Sequence, residues 1–213
     1  MARMSFGSLR RFWDCFAAEG KQVLFWPCFH RSLDLPMPVT TSVLKTLIES
    51  ELAGVSDARV IQHIRGMLIE PHVVLRNWDY GEPGQQYPCW TVLRDAQSGG
   101  EIAYCEYGFG PRCPWGLMWG SGHEERNQSM GMDSAWYPAF LDAFFESVAS
   151  VDLPIWKVIG VEADGTRTPL TDEGAWDATW HRISELRTRN PAGRFECGHS
   201  INFGSKSDRA REA

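Results

Sequence analysis

The run Gly100-Glu101-Ile102-Ala103-Tyr104-Cys105-Glu106-Tyr107-Gly108-Phe109-Gly110-Pro111-Arg112-Cys113-Pro114-Trp115-Gly116-Leu117-Met118-Trp119-Gly120 decides the fold. Ile102 to Phe109 and Trp115 to Trp119 read as strands, and the glycines and prolines between them bend the chain sharply. Glycine relieves backbone sterics there and proline fixes the direction of the bend. A tightly bent, well-packed sheet edge follows.

Upstream, the apolar residues also repeat at period two, in Val73 to Tyr80 and Trp90 to Arg94, punctuated by Gly81, Pro83-Gly84 and Ser98-Gly99-Gly100. Antiparallel strands joined by short turns are the natural outcome. Farther upstream the period becomes helical. Ser42 can cap a helix striped by Leu44, Leu47, Ile48 and Leu52 and ended by Gly54. Ser56 or Asp57 can cap a second one carrying Val60, Ile61, Ile64, Met67 and Leu68 and ended before Pro71, and the two make a helical hairpin. Leu9, Phe12, Trp13 and Phe16 mark a short helix over 6–18, Val23 to Phe29 an extended segment, and Leu35-Pro36-Met37-Pro38 a connector.

Downstream, Ser134 or Tyr137 starts a helix with Phe140, Leu141, Phe144, Phe145 and Val148 on one side. Ile155 to Glu162 returns to strand, and Asp164-Gly165 predicts a two-residue hairpin into Arg167 to Leu170. A last helix takes Thr171 as N-cap, with Trp176, Trp180 and Ile183 on one face and Arg187 and Arg189 near its end. The sequence therefore predicts an α+β fold, an N-terminal helical layer followed by a mainly antiparallel sheet covered on one face by two helices near 136–149 and 172–189. It forms one globular domain over 1–191, with a helical layer in 1–70 and the sheet and its helices in 72–190. Residues 192–213 lack periodicity and are expected to be a flexible C-terminal tail.

The chain has 213 residues, 43% hydrophobic and 23% charged, enough to bury one substantial core without staples. Its net charge of −6 repels phosphate backbones, so nucleic acid is excluded as a partner and a basic protein is favoured. Six cysteines in a chain of this size need no disulfides, and no apolar run of about 7–15 residues follows Arg3, Arg10 and Arg11 as secretion requires. No stretch reaches the roughly 18 apolar residues of a membrane span. These features predict reduced thiols, a cytoplasmic location and no membrane partner.

Four chemistries compete for the remaining signals. Cys105 or Cys113 with His123 supplies a thiol and a base, yet no oxyanion-forming or orienting motif accompanies them, and Cys105 shares a strand face with Ala103, Tyr107 and Phe109 as a small hydrophobe does. Zinc has Cys89, Cys105, Cys113 and His123, or Cys197 with His199, but lacks the close ligand pairs of structural sites, so no metal is expected. Carboxylates at Glu106, Asp79, Glu82, Glu124, Glu125 and Asp133 are the raw material of a glycosidase, with Trp115 and Trp119 as sugar-stacking rings; acidic loop residues are more often simply solvated. Gly108-Phe109-Gly110-Pro111 matches no phosphate-binding loop, and His30, His63, His72 and His181 have no ligand-spaced partner, so no cofactor is expected.

The ten tryptophans remain. A single core absorbs large rings only where each indole N–H finds an acceptor, so some are expected at the surface, where Trp and Tyr serve as binding anchors. Trp78, Asp79, Tyr80 and Glu82, and the stretch holding Trp115, Trp119, Glu124 and Glu125, combine rings with carboxylates. They predict a non-enzymatic interaction protein that meets a basic protein partner. In general style such a chain is similar to the immunity proteins that neutralise toxins delivered between bacterial cells, which implies a basic toxin domain as partner. The alternatives are a small hydrolase using Glu106, Cys113, His123 or Asp133, and a sugar or small-ligand binder with a groove at Trp115 or Trp119.

Overall fold

The computed structural model describes residues 39–78, 82–106, 112–119, 130 and 136–201. Among the described residues two helices come first, α1 (Thr41–Leu52) and α2 (Ala58–Met67), and then β1 (Leu68–Asn77), β2 (Gln86–Arg94), β3 (Gly100–Tyr104), β4 (Trp115–Trp119) and β5 (Trp136–Tyr137). The helix expected over 6–18, the extended segment Val23 to Phe29 and the connector at 35–38 lie outside them. After α3 (Phe140–Glu146) and a 3-10 turn at Val148–Ser150 follow β6 (Lys157–Val161), β7 (Arg167–Pro169), α4 (Trp176–Arg189) and β8 (Arg194–Gly198). The fold is α+β, and every strand pairing is antiparallel.

The sequence predicts one sheet, and the structure has two. One has the order β1-β2-β3-β4-β5, the other β7-β6-β8. Helix α3 packs on the first sheet and α4 on β8 and β6 of the second, so the two helices do not share one face. Period-two patterning shows which residues alternate, not which strands become neighbours. The predicted tail is corrected in the same way. Its residues Arg194–Gly198 are β8, paired along β6 from Lys157↔Gly198 to Val161↔Arg194. Arg194 and Glu196 hid the alternation: Arg194 is exposed, and Glu196, paired across from the buried Ile159, is neutralised by Arg167 at 2.7 Å.

Register explains where the first core lies. Val73, Trp90, Tyr104, Trp115 and Tyr137 occupy successive paired positions across all five strands and therefore share one face. Trp115 meets Tyr104 edge-to-face at 5.0 Å and Phe140 of α3 at 5.4 Å, in the geometry aromatic quadrupoles prefer. The apolar stripes of α1 (Leu44, Ile48, Leu52), α2 (Val60, Ile64) and α3 close over this side. On the opposite face Tyr87, Cys89, Ala103, Cys105, Met118 and Met130 form a second buried cluster.

Helix starts follow local hydrogen-bonding chemistry. Thr40, not Ser42, caps α1 by accepting the Val43 N–H, and Asp57 caps α2 through Arg59 N–H. The α2 stripe stops at Met67 because Leu68 is already extended, so β1 begins five residues before the predicted Val73 and carries Pro71. β1 is an edge strand, where a missing N–H is tolerated. Trp136 and Tyr137 form β5 instead of the start of a helix, and α3 opens at Phe140. Helix α4 starts at Trp176, five residues past the predicted cap Thr171, whose hydroxyl instead accepts the Val158 N–H. The β6–β7 turn has three residues, not two. Gly165 N–H donates to Glu162 O, Glu162 N–H donates to Thr166 O, and Gly165 takes φ +89°.

Candidate functional site

Of the sequence-predicted site residues, Asp79, Tyr80, His123, Glu124, Glu125 and Asp133 lie outside the described residues. Trp78 is half-buried, edge-to-face with Tyr87 at 5.7 Å on the second cluster. Glu82 is exposed. Trp115 is corrected from anchor to core, with 2% of its surface exposed beneath α3. Trp119 is the exposed ring, at 49%. Glu106 and Cys113 are both half-buried on segments that run together, because Cys105 N–H donates to Pro114 O at 2.8 Å.

Cys89 and Cys105 are fully buried, and Cys89 hydrogen-bonds the Cys105 thiol; that bond and then burial push the Cys89 pKa up. A buried thiol with a raised pKa is a poor nucleophile. His63 donates its Nε2–H to the Ala149 carbonyl at 2.7 Å, a tie between α2 and the turn after α3. Among the described residues no three His, Cys, Asp or Glu side chains gather to hold a metal ion.

Two features have the geometry of a binding site. The first surrounds Trp119. Its backbone is fixed twice: it pairs with Gly100 in β3, and its carbonyl receives both terminal nitrogens of Arg76 at 3.4 Å. A Cβ on Gly100 would come within 2.9 Å of Val148 Cγ2, so the glycine lets Val148 lie against the strand beside the Trp119 position. Val148 is itself exposed, and the two side chains carry apolar surface at one corner of the first sheet. An aromatic ring held on a rigid strand loses little entropy on binding.

The second feature is a cleft of about 420 Å³ between the end of α3 and the second sheet. Ile159, Arg167, Pro169 and Glu196 stand at paired positions of β6, β7 and β8 and share a face. Phe145 and His199 lie 4.2 Å apart with their planes tilted by 31°, and Trp156 meets His199 edge-on at 5.5 Å. Arg167 Nη1 pairs with Glu196 Oε2 at 2.7 Å, and Lys157 Nζ donates to the lining residue Ser200 at 3.0 Å. The crowding walls push the Glu146 carboxyl up, helped by the Asp142 charge. Burial lowers the His199 imidazole and pushes the Cys197 thiol up to about 12.

A thiol, an imidazole and a carboxyl thus line one cleft, and burial pushes the thiol above the range of an activated nucleophile. The arrangement suits binding. The sequence offered one hint of it, the close pair Cys197-Gly198-His199, and none for Glu146 or Arg167, which only the tertiary fold brings opposite that pair.

No protein-family model, curated protein or solved structure matches this chain. Among the described residues no helix is long and apolar enough to cross a membrane.

Proposed function

We propose that this chain is a non-enzymatic interaction protein that binds a basic protein partner through an acidic surface bearing aromatic anchors, in the manner of toxin-neutralising immunity proteins. The observation that carries the reading is Trp119, half exposed on a strand end that Gly100 and Arg76 hold in place. Exposed tryptophans on rigid elements are typical binding hot spots. The net charge of −6 supplies the complementary field that speeds encounter with a cationic surface. Glu82, in the β1–β2 turn, is exposed as well.

The test identifies the partner by pull-down from the native host and then titrates that purified protein against the chain. Trp119→Ala is expected to weaken its binding by about tenfold or more, with association slowing as salt rises. Val43→Ser on α1, which removes a different exposed apolar side chain, leaves binding unchanged. An affinity indifferent to both Trp119→Ala and salt would overturn the proposal.

A further inference from the structure

We propose that the cleft between α3 and the β7-β6-β8 sheet is a second, independent binding site, which takes a small organic carboxylate with a flat apolar body. The cleft's volume of about 420 Å³ falls in the range of sites that enclose small molecules. Its lining is of two kinds. Phe145, Trp156 and His199 supply ring faces and edges, with Ile159 and Pro169 beside them, so a flat apolar group gains contact area there.

Arg167 lines the same cleft. A guanidinium has five N–H donors in a fixed fork, and one ion pair with Glu196 leaves donors over for a second carboxylate. Lys157, bonded to Ser200 at the rim, adds a second positive charge; Glu173 lies 3.5 Å from its ammonium. Each cation has one glutamate near it, and Glu146, its carboxyl raised by burial, lines the same cleft, so the site suits a ligand of one negative charge bonded directly by Arg167 better than a doubly charged phosphate. Gly198 keeps the space open. A Cβ there would sit 3.1 Å from Ile159 Cγ1, on the face that forms the cleft.

Benzoate is the probe, with benzyl alcohol as its uncharged counterpart and inorganic phosphate as the anion without a ring, each titrated into the full chain by calorimetry or ligand-observed NMR. Benzoate is expected to bind saturably, and benzyl alcohol about tenfold more weakly or worse, since a charge-assisted hydrogen bond is lost. Arg167→Gln is expected to bring benzoate down to the level of the alcohol. Arg167 is exposed on a three-residue edge strand, and an unchanged melting temperature shows that the variant folds. Arg182→Gln on α4 serves as the charge-matched control and keeps benzoate binding. Equal binding of benzoate and benzyl alcohol, equal binding of phosphate and benzoate, or benzoate binding that survives Arg167→Gln would each overturn the assignment, as would no saturable benzoate binding.

Discussion

Glu101 and Arg76 meet inside the first sheet at 3.2 Å, each with 1% of its side chain exposed. Glu101 is the hub of this charge cluster. Its Oε2 also receives the Thr91 hydroxyl at 3.4 Å, and its Oε1 receives Arg94 Nε at 2.7 Å. Two buried charges of opposite sign offset each other's desolvation, whereas one left alone does not. Glu101→Gln is therefore expected to cost roughly 3–5 kcal/mol, because Arg76 keeps its charge and loses its counter-ion. The double variant Arg76→Met/Glu101→Leu recovers most of that loss. Urea midpoints of the three proteins decide the matter, and a single variant no worse than the double would show the pair to be weakly coupled. Since Arg76 also holds the Trp119 carbonyl, the double variant links the buried pair to the proposed anchor.

A second carboxylate works across helices. Glu51, near the end of α1, accepts Phe140 N–H at 3.1 Å and Leu141 N–H at 2.9 Å, the first two donors of α3. The α3 N-cap is Ala139, which makes no side-chain cap bond, so Glu51 does this work from 89 residues away. Negative charge also suits the positive end of a helix dipole. Glu51→Ala is expected to cost about 1 kcal/mol, as loss of an ordinary cap does, and to speed hydrogen exchange at the Phe140 and Leu141 amides. Exchange at those amides that stays unchanged would mean the cap contributes nothing to α3.

Glycine positions give opposite expectations at two sites. Gly116 pairs with Trp136, and a Cβ there would come within 2.9 Å of the indole Cζ3 and 2.8 Å of Met118 Cε. Gly116→Val is expected to cost about 1–3 kcal/mol through overpacking, with a change in Trp136 fluorescence as β5 is displaced. Gly66 lies in α2 with nothing within 4 Å of a built Cβ. Gly66→Ala is expected to stabilise by about 0.5–1 kcal/mol through backbone entropy and helix propensity. Thermal melts of both variants check the signs, and a stabilising Gly116→Val would remove the ring-over-glycine account of β5.

How much of this was legible depends on whether the signal was local. The stripes of α1 and α2, the cap at Asp57 and the strands around Trp90, Ile102 and Trp115 follow from spacing, because each residue's partner lies on its own element or in the next turn. Trp115 shows the limit. The alternation that placed it in β4 could not say that Phe140, 25 residues on, would cover it, so core ring and surface anchor looked alike. β8 was missed because the partner that lets Glu196 sit beside buried Ile159 is Arg167 of another strand, and the α3 cap because Glu51 sits in a different helix. The cleft needed α3, β7 and β8 together, three segments whose contacts no single window contains.

Titration of the cleft gives the last expectation. Burial lowers the His199 pKa below its ordinary 6.5, though the Ile201 backbone hydrogen bond opposes the shift. A depressed folded value means that the unfolded chain binds the proton more readily, so acid favours unfolding. The stability His199 contributes is fully present above its ordinary value and is lost as pH falls through the depressed one. Glu146 runs the other way. Its raised value means that its contribution is present at low pH and is lost as pH climbs through the folded value. His199→Asn is therefore expected to flatten the fall in stability as pH drops below the imidazole's ordinary 6.5, and Glu146→Gln to flatten the decline as pH climbs from the carboxyl's ordinary 4.5 to its raised value. Urea unfolding across that pH range separates the two, because the variants change the slope of stability against pH with opposite sign. A His199→Asn profile that tracks the unsubstituted chain through the acid limb would show that the imidazole is not desolvated in the cleft.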